Sequence, residues 1–506
     1  MFPSVLFPDS RALSETPPDF FTDLNLDQVV NGLCAHKAEY RLHPFFYSPP
    51  GTTDALFFRH EVFRDLEKPE IFSAVGRFAD GMRGMRRRLA VMDKVHYLSQ
   101  KKRWFLDAVR SYLDAVRGLE QELAAAAPES RGMLAVRTYL TSYVGSDVFS
   151  ALLEKTRKLR VSLDEVRYCT HLYGGRVKVA RYDGESDYTA EVERTFEKFR
   201  KGDVKDYSVT FSDNADMNHV EAMILDRVAL LFPETFAALG AFYSEHKEYL
   251  DEVVARFDTE VQFYLAYGDF MSALRSRGLP FCYPVVSDTD KETAVAESYD
   301  VALASKLLSE NKPVVCNDFF LSGNERIIIV SGPNQGGKTT FARSFGQIHY
   351  LASLGCPVPA RRAKLFLFDR LFVHFEREET GSDLRGKLQD DLVRIHGILE
   401  SSTSSSIVIM NEIFNSTTLK DAVFLARNVL ERIMERDAIC VCVTFMDELS
   451  TLSEQTVSMV STVVADNPAQ RTFKIVRKAA DGIAYAMSIA EKHRLTYVNL
   501  MERVSS

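Results

Sequence analysis

Two short stretches carry residue types at spacings that could do chemistry. The first, Gly332-Pro-Asn-Gln-Gly-Gly-Lys338-Thr339, has the spacing G-x-x-x-x-G-K-[ST]. Glycines let backbone N–H groups approach a cluster of negative charge, and a helix starting at the end of the stretch adds its positive terminus. Lys338 is then placed to reach β- and γ-phosphates, and the Thr339 hydroxyl to ligate Mg²⁺. The expected ligand is ATP with Mg²⁺, held by Gly332, Pro333, Asn334, Gln335, Gly336, Gly337, Lys338, Thr339 and Thr340. The second stretch, Ile407-Val-Ile-Met-Asn411-Glu412, is an apolar run ending in an amide and a carboxylate. Glu412 is the candidate general base that polarises an attacking water, with Lys338 as the other catalytic residue. An exposed Glu at a strand end is the competing reading. Asn411, with Thr339, is the candidate on the metal side, although an amide brings no negative charge to Mg²⁺.

These residues need a scaffold that brings distant stretches to one edge. Ile327-Ile-Ile-Val330 reads as a buried strand running into the glycine-rich turn, followed by an amphipathic helix. Ile407–Met410 and Ile439–Val443 read as further buried strands separated by helices, which predicts a mainly parallel sheet with helices on its faces. Ser401 to Ser406 (SSTSSS) reads as a loop between helix and strand. Upstream, from about Asp54 to Leu308, the pattern is mostly helical. Phe105, Val109, Tyr112, Val116, Leu119 and Leu123 recur at three- and four-residue spacing as a core stripe, on a helix that stops before Pro128. One region breaks the pattern. Arg176–Tyr182 and Tyr207–Phe211 alternate with period two around a helix expected over Thr189–Arg200, a small mixed insertion on a helical arm. Residues 1 to 50, rich in Pro and Phe, give no clear assignment.

Composition bounds the classes. The chain has 506 residues, 46% hydrophobic and 26% charged, which excludes disordered and fibrous types and allows two to four domains. The net charge of −8 gives no overall support to a protein that coats nucleic acid. From Asn311 onward, 23 Lys and Arg face 22 Asp and Glu, so the acidic excess lies upstream, and any DNA contact there must be local. The seven cysteines are scattered without CxxC pairs, which points to buried reduced thiols and a cytoplasmic protein. The N-terminus lacks the pattern of a signal peptide, and no apolar run is long enough to cross a bilayer.

GPNQGGKTT resembles the nucleotide loop of MutS-type mismatch-repair ATPases, GPNxGGK[ST]T. Several other elements follow in the family's order over about 170 residues. Asn317-Asp318 with Leu321 resembles N-D-x-x-L, and Gly355-Cys-Pro-Val-Pro-Ala360 resembles G-x-x-V-P-A. Asp369-Arg370-Leu-Phe372 is similar to D-R-[IL]-F, and Met410-Asn411-Glu412-Ile413 stands where M-D-E-I is expected. Val443-Thr444-Phe445-Met446-Asp447-Glu448-Leu449 takes the place of A-T-H-x-x-E-L, and Phe281-Cys-Tyr-Pro284 resembles the end of the arm before the ATPase. The resemblance implies a multidomain α plus α/β protein: an N-terminal segment (1–50), a helical lever with a clamp-like insertion near 165–215 (51–310), and an ABC-type P-loop ATPase domain (311–506). It also implies slow ATP hydrolysis, Asn317 as a further nucleotide contact, a homodimer and sequence-tolerant DNA binding. ATP would then sit between 332–340 of one subunit and the 383–390 region of the other.

The departures concern hydrolysis more than binding. Asn411 replaces the metal-side Asp, Phe445 replaces the His that senses the γ-phosphate, and Phe414-Asn-Ser-Thr-Thr418 replaces G-x-G-T-S-T. The S-T-F signature is not recognisable in Asp383–Asp390, and residues 1 to 150 contain no F-x-E wedge for reading a mispair. Candidate DNA contacts are Arg83, Arg86, Arg87, Arg88, Lys101, Lys102 and Arg103, then Lys155, Arg157, Lys158 and Arg160. A solvated helix face is the competing and commoner reading of each cluster. The alternative function is a nucleotide-gated scaffold or sensor that hydrolyses little and grips a protein or branched DNA. LSGGQ is absent, which sets aside a transporter subunit, and the helical region is too short for the arms of an SMC-type protein.

Overall fold

The computed structural model describes residues 4–9, 11–185, 191, 194, 217–376, 386–464 and 467–480. The fold is mixed helix and sheet, and it divides into two compact units. One comprises 1–4, 65–129 and 133–258; the other comprises 5–64, 130–132 and 259–506. Among the described residues no helix is long and apolar enough to cross a membrane.

The first unit is built on two long helices, Pro69–Lys94 and Leu98–Ala126. Pro69 opens its helix where a missing N–H costs nothing. The stripe from Phe105 to Leu123 is buried as its spacing predicts, against Ile71, Val75, Phe78 and Met82. A methyl group at Gly81 would come 2.7 Å from the Ala115 Cβ, so the glycine sets how closely the helices approach. The helix Asp147–Asp164 is capped by the Ser146 hydroxyl, which accepts from Phe149 N. It leads into a hairpin of β1 (Tyr168–Tyr173) and β2 (Arg176–Arg181). β1 gave no period-two signal because side chains on both of its faces are exposed, including Leu172 and Tyr173. Of the remainder of the expected insertion, 189–200 and 207–211, all but 191 and 194 lies outside the described residues.

The stretch up to Leu308, expected to be mostly helical with one mixed insertion, contains two further, unexpected strands. β3 (Val285–Ser287) and β4 (Thr293–Ser298) lie within it. They join β5 (Asn317–Leu321) and β7 (Arg362–Phe366) in a four-stranded mixed sheet of order β3-β7-β4-β5. Runs of three to six residues with small side chains such as TAVAES are too short to show a period against a helical background.

The main sheet also contains β6 (Ile327–Ser331), β8 (Leu371–Phe375), β9 (Ile407–Asn411), β10 (Ile439–Val443), β11 (Thr456–Val464) and β12 (Asn467–Arg477), in the order β12-β11-β6-β10-β9-β8. All its pairings are parallel except β11–β12. β6 and β10 are buried at every residue, as strands covered on both faces must be. One face packs Ile327, Ile329, Val408, Met410, Cys440 and Cys442 against helices Lys387–Ser401 and Leu419–Glu435. On the other lies helix Lys338–Ser353, where a Cβ at Gly346 would come within 2.8 Å of Ile409 Cδ1. All seven cysteines are free, and burial pushes the Cys442 thiol up to about 12. Residues 26–34 and 43–47, unassigned from sequence, are helical.

Candidate nucleotide site

Because β6, β10 and β9 are parallel and adjacent, their C-terminal ends share one edge, where open α/β sheets bind ligands. The loop 332–337 leaves β6 at this edge. Gly332 has φ 111° and Gly337 φ 93°, conformations that side chains resist. A Cβ at Gly332 would meet the Ser461 carbonyl oxygen at 2.9 Å, and one at Gly336 would collide with the Ser461 hydroxyl and lie 2.9 Å from the Pro333 oxygen. Ser461 of β11 donates its hydroxyl to the Gly336 carbonyl at 2.7 Å, and Arg471 of β12 donates from Nε to the Asn334 carbonyl at 3.2 Å. These two residues support the loop from beneath and beside it. Nothing in the local pattern around them marked them.

Lys338 opens the helix Lys338–Ser353, with Gly337 as N-cap in the left-handed region. Its ammonium is buried and donates to the Gly332 carbonyl at 2.9 Å, the Pro333 carbonyl at 3.1 Å and Asn334 Oδ1 at 3.5 Å. Burial lowers its pKa, and the Glu412 carboxylate opposes that shift. Thr339 Oγ1 donates to Asn411 Oδ1 at 3.0 Å, so the two candidate metal-side residues meet. Glu412 follows immediately. Its backbone is left-handed (φ 53°), its N–H is bonded to the Val443 carbonyl at 2.8 Å, and its carboxylate accepts from Asn415 Nδ2 at 3.3 Å. Phe414, at φ 61°, is fully buried, and Thr418 caps the next helix by accepting from Asp421 N. This is what Phe414–Thr418 does locally. Phe445, after β10, is half exposed at the same edge.

Asn317 is not drawn into the loop. Its Nδ2 donates to the Phe473 carbonyl at 3.2 Å, and its Oδ1 accepts from Ile475 N at 2.8 Å. It therefore ties β5 to β12, holding Phe473 (φ 57°) about 3.7 Å from where a Gly337 Cβ would stand. Of the 383–390 stretch, only 386–390 lies within the described residues; Gly386 is the N-cap of helix Lys387–Ser401. On that helix, Asp391 pairs with His374 Nε2 of β8 at 3.1 Å in a buried contact that sequence reading missed.

The two basic clusters are largely engaged with carboxylates. Arg83 pairs with Asp80 and Arg86 with Asp258, while Arg103 and Arg160 share Asp107. Lys155 pairs with Glu245 and Lys158 with Glu154. Arg87 and Arg157 are exposed. The clusters are thus interleaved with acids; exposed pairs such as Lys155–Glu245 and Lys158–Glu154 are weak enough to exchange for phosphates, whereas Arg86 is held by the buried Asp258.

Residues 328–497 match the family model described as MutS domain V. A DNA mismatch repair protein MutS of Chlorobium phaeovibrioides is 27% identical over 273 residues, 52% of this chain and 30% of that protein. The MutS of Thermotoga maritima is 27% identical over 274 residues, 53% of this chain and 32% of its own. That of Thermotoga petrophila is 29% identical over 181 residues, 35% and 22% respectively. The matched part spans about a third of the first two relatives' length or less.

Proposed function

From the membership of this chain in the MutS family, carried by its domain V segment, we propose that it is a slow ATPase acting on DNA as a homodimer. The observation that carries the reading is the junction at the sheet edge: Lys338 begins its helix beside a loop of left-handed glycines, and Thr339 is bonded to Asn411.

The residues present fit ATP with Mg²⁺. The Lys338 ammonium, now bonded to three loop oxygens, has N–H donors of the kind that bond phosphate oxygens. The N–H groups at the start of helix Lys338–Ser353 have no intrahelical partner and add to the positive end of that helix. Thr339 and Asn411 hold the metal side, and Glu412 takes a proton from the attacking water. Mg²⁺ neutralises charge on the β- and γ-phosphates when bound. In the proposed layout 51–310 is the helical lever with its clamp-like insertion, and 311–506 is the P-loop ATPase domain, preceded by the segment 1–50.

A second reading, the nucleotide-gated scaffold with little hydrolysis, rests on two named features. Asn411 offers an amide where a charge would hold the metal, and the half-exposed Phe445 can neither donate nor accept a hydrogen bond. Binding to duplex, mismatched, branched and single-stranded DNA, measured across salt with and without ATP, separates the two. The DNA reading expects binding that weakens steeply with salt, responds to ATP and shows little mismatch preference. Salt-independent or absent binding to all four would overturn it in favour of the scaffold.

A further inference from the structure

The hairpin of the first unit carries a group of donor atoms that the nucleotide chemistry does not use. Cys169 and His171 are two apart on β1 and share one face, and Glu185 follows four residues after β2 ends. Among the described residues this is the one group of three His, Cys, Asp or Glu whose ligand atoms lie within 4.8 Å of one another. The Cys169 sulfur is 3.4 Å from His171 Nε2 and 3.4 Å from Glu185 Oε1.

Those separations have a chemical meaning. Zn–S of about 2.3 Å and Zn–N or Zn–O of about 2.0–2.2 Å put the donor atoms of a tetrahedral site about 3.5 Å apart. The second oxygen of Glu185 accepts from Asp183 N at 2.7 Å, which orients the carboxylate and leaves Oε1 turned to the sulfur. The donor set is thiolate, imidazole and carboxylate. It suits Zn²⁺ and not the hard cations Mg²⁺ or Ca²⁺, which take oxygen ligands. Lys178 stands opposite His171 in the ladder, and its charge opposes a cation. A thiolate and a carboxylate cancel the two charges of Zn²⁺, so the assembled site is neutral and that repulsion is small.

We propose that Cys169, His171 and Glu185 form a Zn²⁺ site, with water as the fourth ligand, that clips the chain leaving β2 back onto β1. Binding releases the Cys169 thiol proton to solvent, and no redox step is involved. A two-stranded hairpin is marginal in water by itself; β2 packs against helix His219–Leu231, where Arg181 donates to the Leu231 carbonyl, and a metal clip adds order on the exposed faces.

The test uses the full chain, stripped with a chelator, held in a phosphine reductant and excess Mg²⁺, and titrated with Co²⁺ as a spectroscopic probe. The expected result is one Co²⁺ per chain with tetrahedral d–d intensity and a thiolate charge-transfer band, displaced by one equivalent of Zn²⁺. Cys169→Ser should abolish the charge-transfer band, and His171→Ala and Glu185→Gln should each weaken binding at least tenfold. No charge-transfer band with the natural chain, or a band that persists in Cys169→Ser, overturns the proposal. Should Cys169→Ser misfold by circular dichroism, unchanged Co²⁺ affinity in both His171→Ala and Glu185→Gln overturns it equally.

Discussion

The Thr339 hydroxyl donates to the amide oxygen of Asn411 across 3.0 Å, joining the first turn of the loop helix to the end of β9. The bond explains how an amide serves at this position: it accepts from the hydroxyl as a carboxylate would, but without charge. Replacement Asn411→Asp keeps the geometry and adds the charge. Mg²⁺ should then bind more tightly in the presence of ATP, read as a lower half-saturating Mg²⁺ concentration. If metal placement limits turnover, the rate rises as well; an unchanged Mg²⁺ dependence would show that residue 411 does not face the metal.

Lys338→Ala removes an ammonium whose acceptors are the loop's own oxygens. Hydrogen bonds involving a charged group contribute about 1.5–3 kcal/mol. ATP affinity by calorimetry should therefore fall roughly 10- to 150-fold, with the fold intact by circular dichroism. Unchanged affinity would rule out this loop as the phosphate site.

Glu412→Gln leaves the loop, Thr339 and Asn411 in place while removing the proposed base. Steady-state turnover should drop by about 10²–10⁴-fold with ATP affinity retained. Equal rates in the two proteins would move the scaffold reading ahead of the enzyme.

Gly346→Ala sets two effects against each other. Alanine in a helix interior gains about 1 kcal/mol over glycine. Here the new methyl would stand 2.7 Å from Leu24 Cδ1 and 2.8 Å from Ile409 Cδ1, and overpacking of that kind costs about 1–3 kcal/mol. The expected net is destabilisation, seen as a lower urea midpoint; a rise would mean that Leu24 moves aside freely.

Two buried histidines make the fold acid-sensitive. Burial lowers His60 and His349 to about 4, so both are neutral when folded near neutral pH. The unfolded chain binds protons from about pH 6.5 downward while the folded one does not until about 4. Stability is therefore full above pH 6.5 and is lost as the pH falls through that window, by about 2–3 kcal/mol per histidine at its foot. Urea midpoints at pH 7 and pH 5 should differ less in His349→Leu than in the natural chain. An equal difference would show that His349 does not contribute.

How much of this was legible depended on range. Ile327–Val330, Ile407–Met410 and Ile439–Val443 announced themselves because strands covered on both faces are apolar throughout. The loop, with Lys338 and Thr339, was legible because phosphate chemistry fixes both spacing and residue type. β1, β3 and β4 were not, since short or doubly exposed strands have no period to show. Ser461 and Arg471 were hidden for another reason: they act through register, more than a hundred residues from the loop they support. Asn317 was marked by its motif, and its two bonds to β12 emerge only when β5 and β12 are side by side.

The contact of Ser461 with both Gly332 and Gly336 makes three positions one steric unit. The hydroxyl is large enough to hold the Gly336 carbonyl and small enough to leave the loop flush with β11. A mutational library confined to 332–340 would therefore find Gly332 and Gly336 restrained in part from outside the library, beside the positive φ of Gly332 and Gly337 and the Pro333 oxygen within it. Ser461→Gly or Ser461→Ala beside Gly336→Ala would lift the clash with the hydroxyl, while the Pro333 oxygen, 2.9 Å from the new Cβ, would still have to shift. Redesign of the loop is in that sense governed jointly by its own backbone and by the strand packed against it.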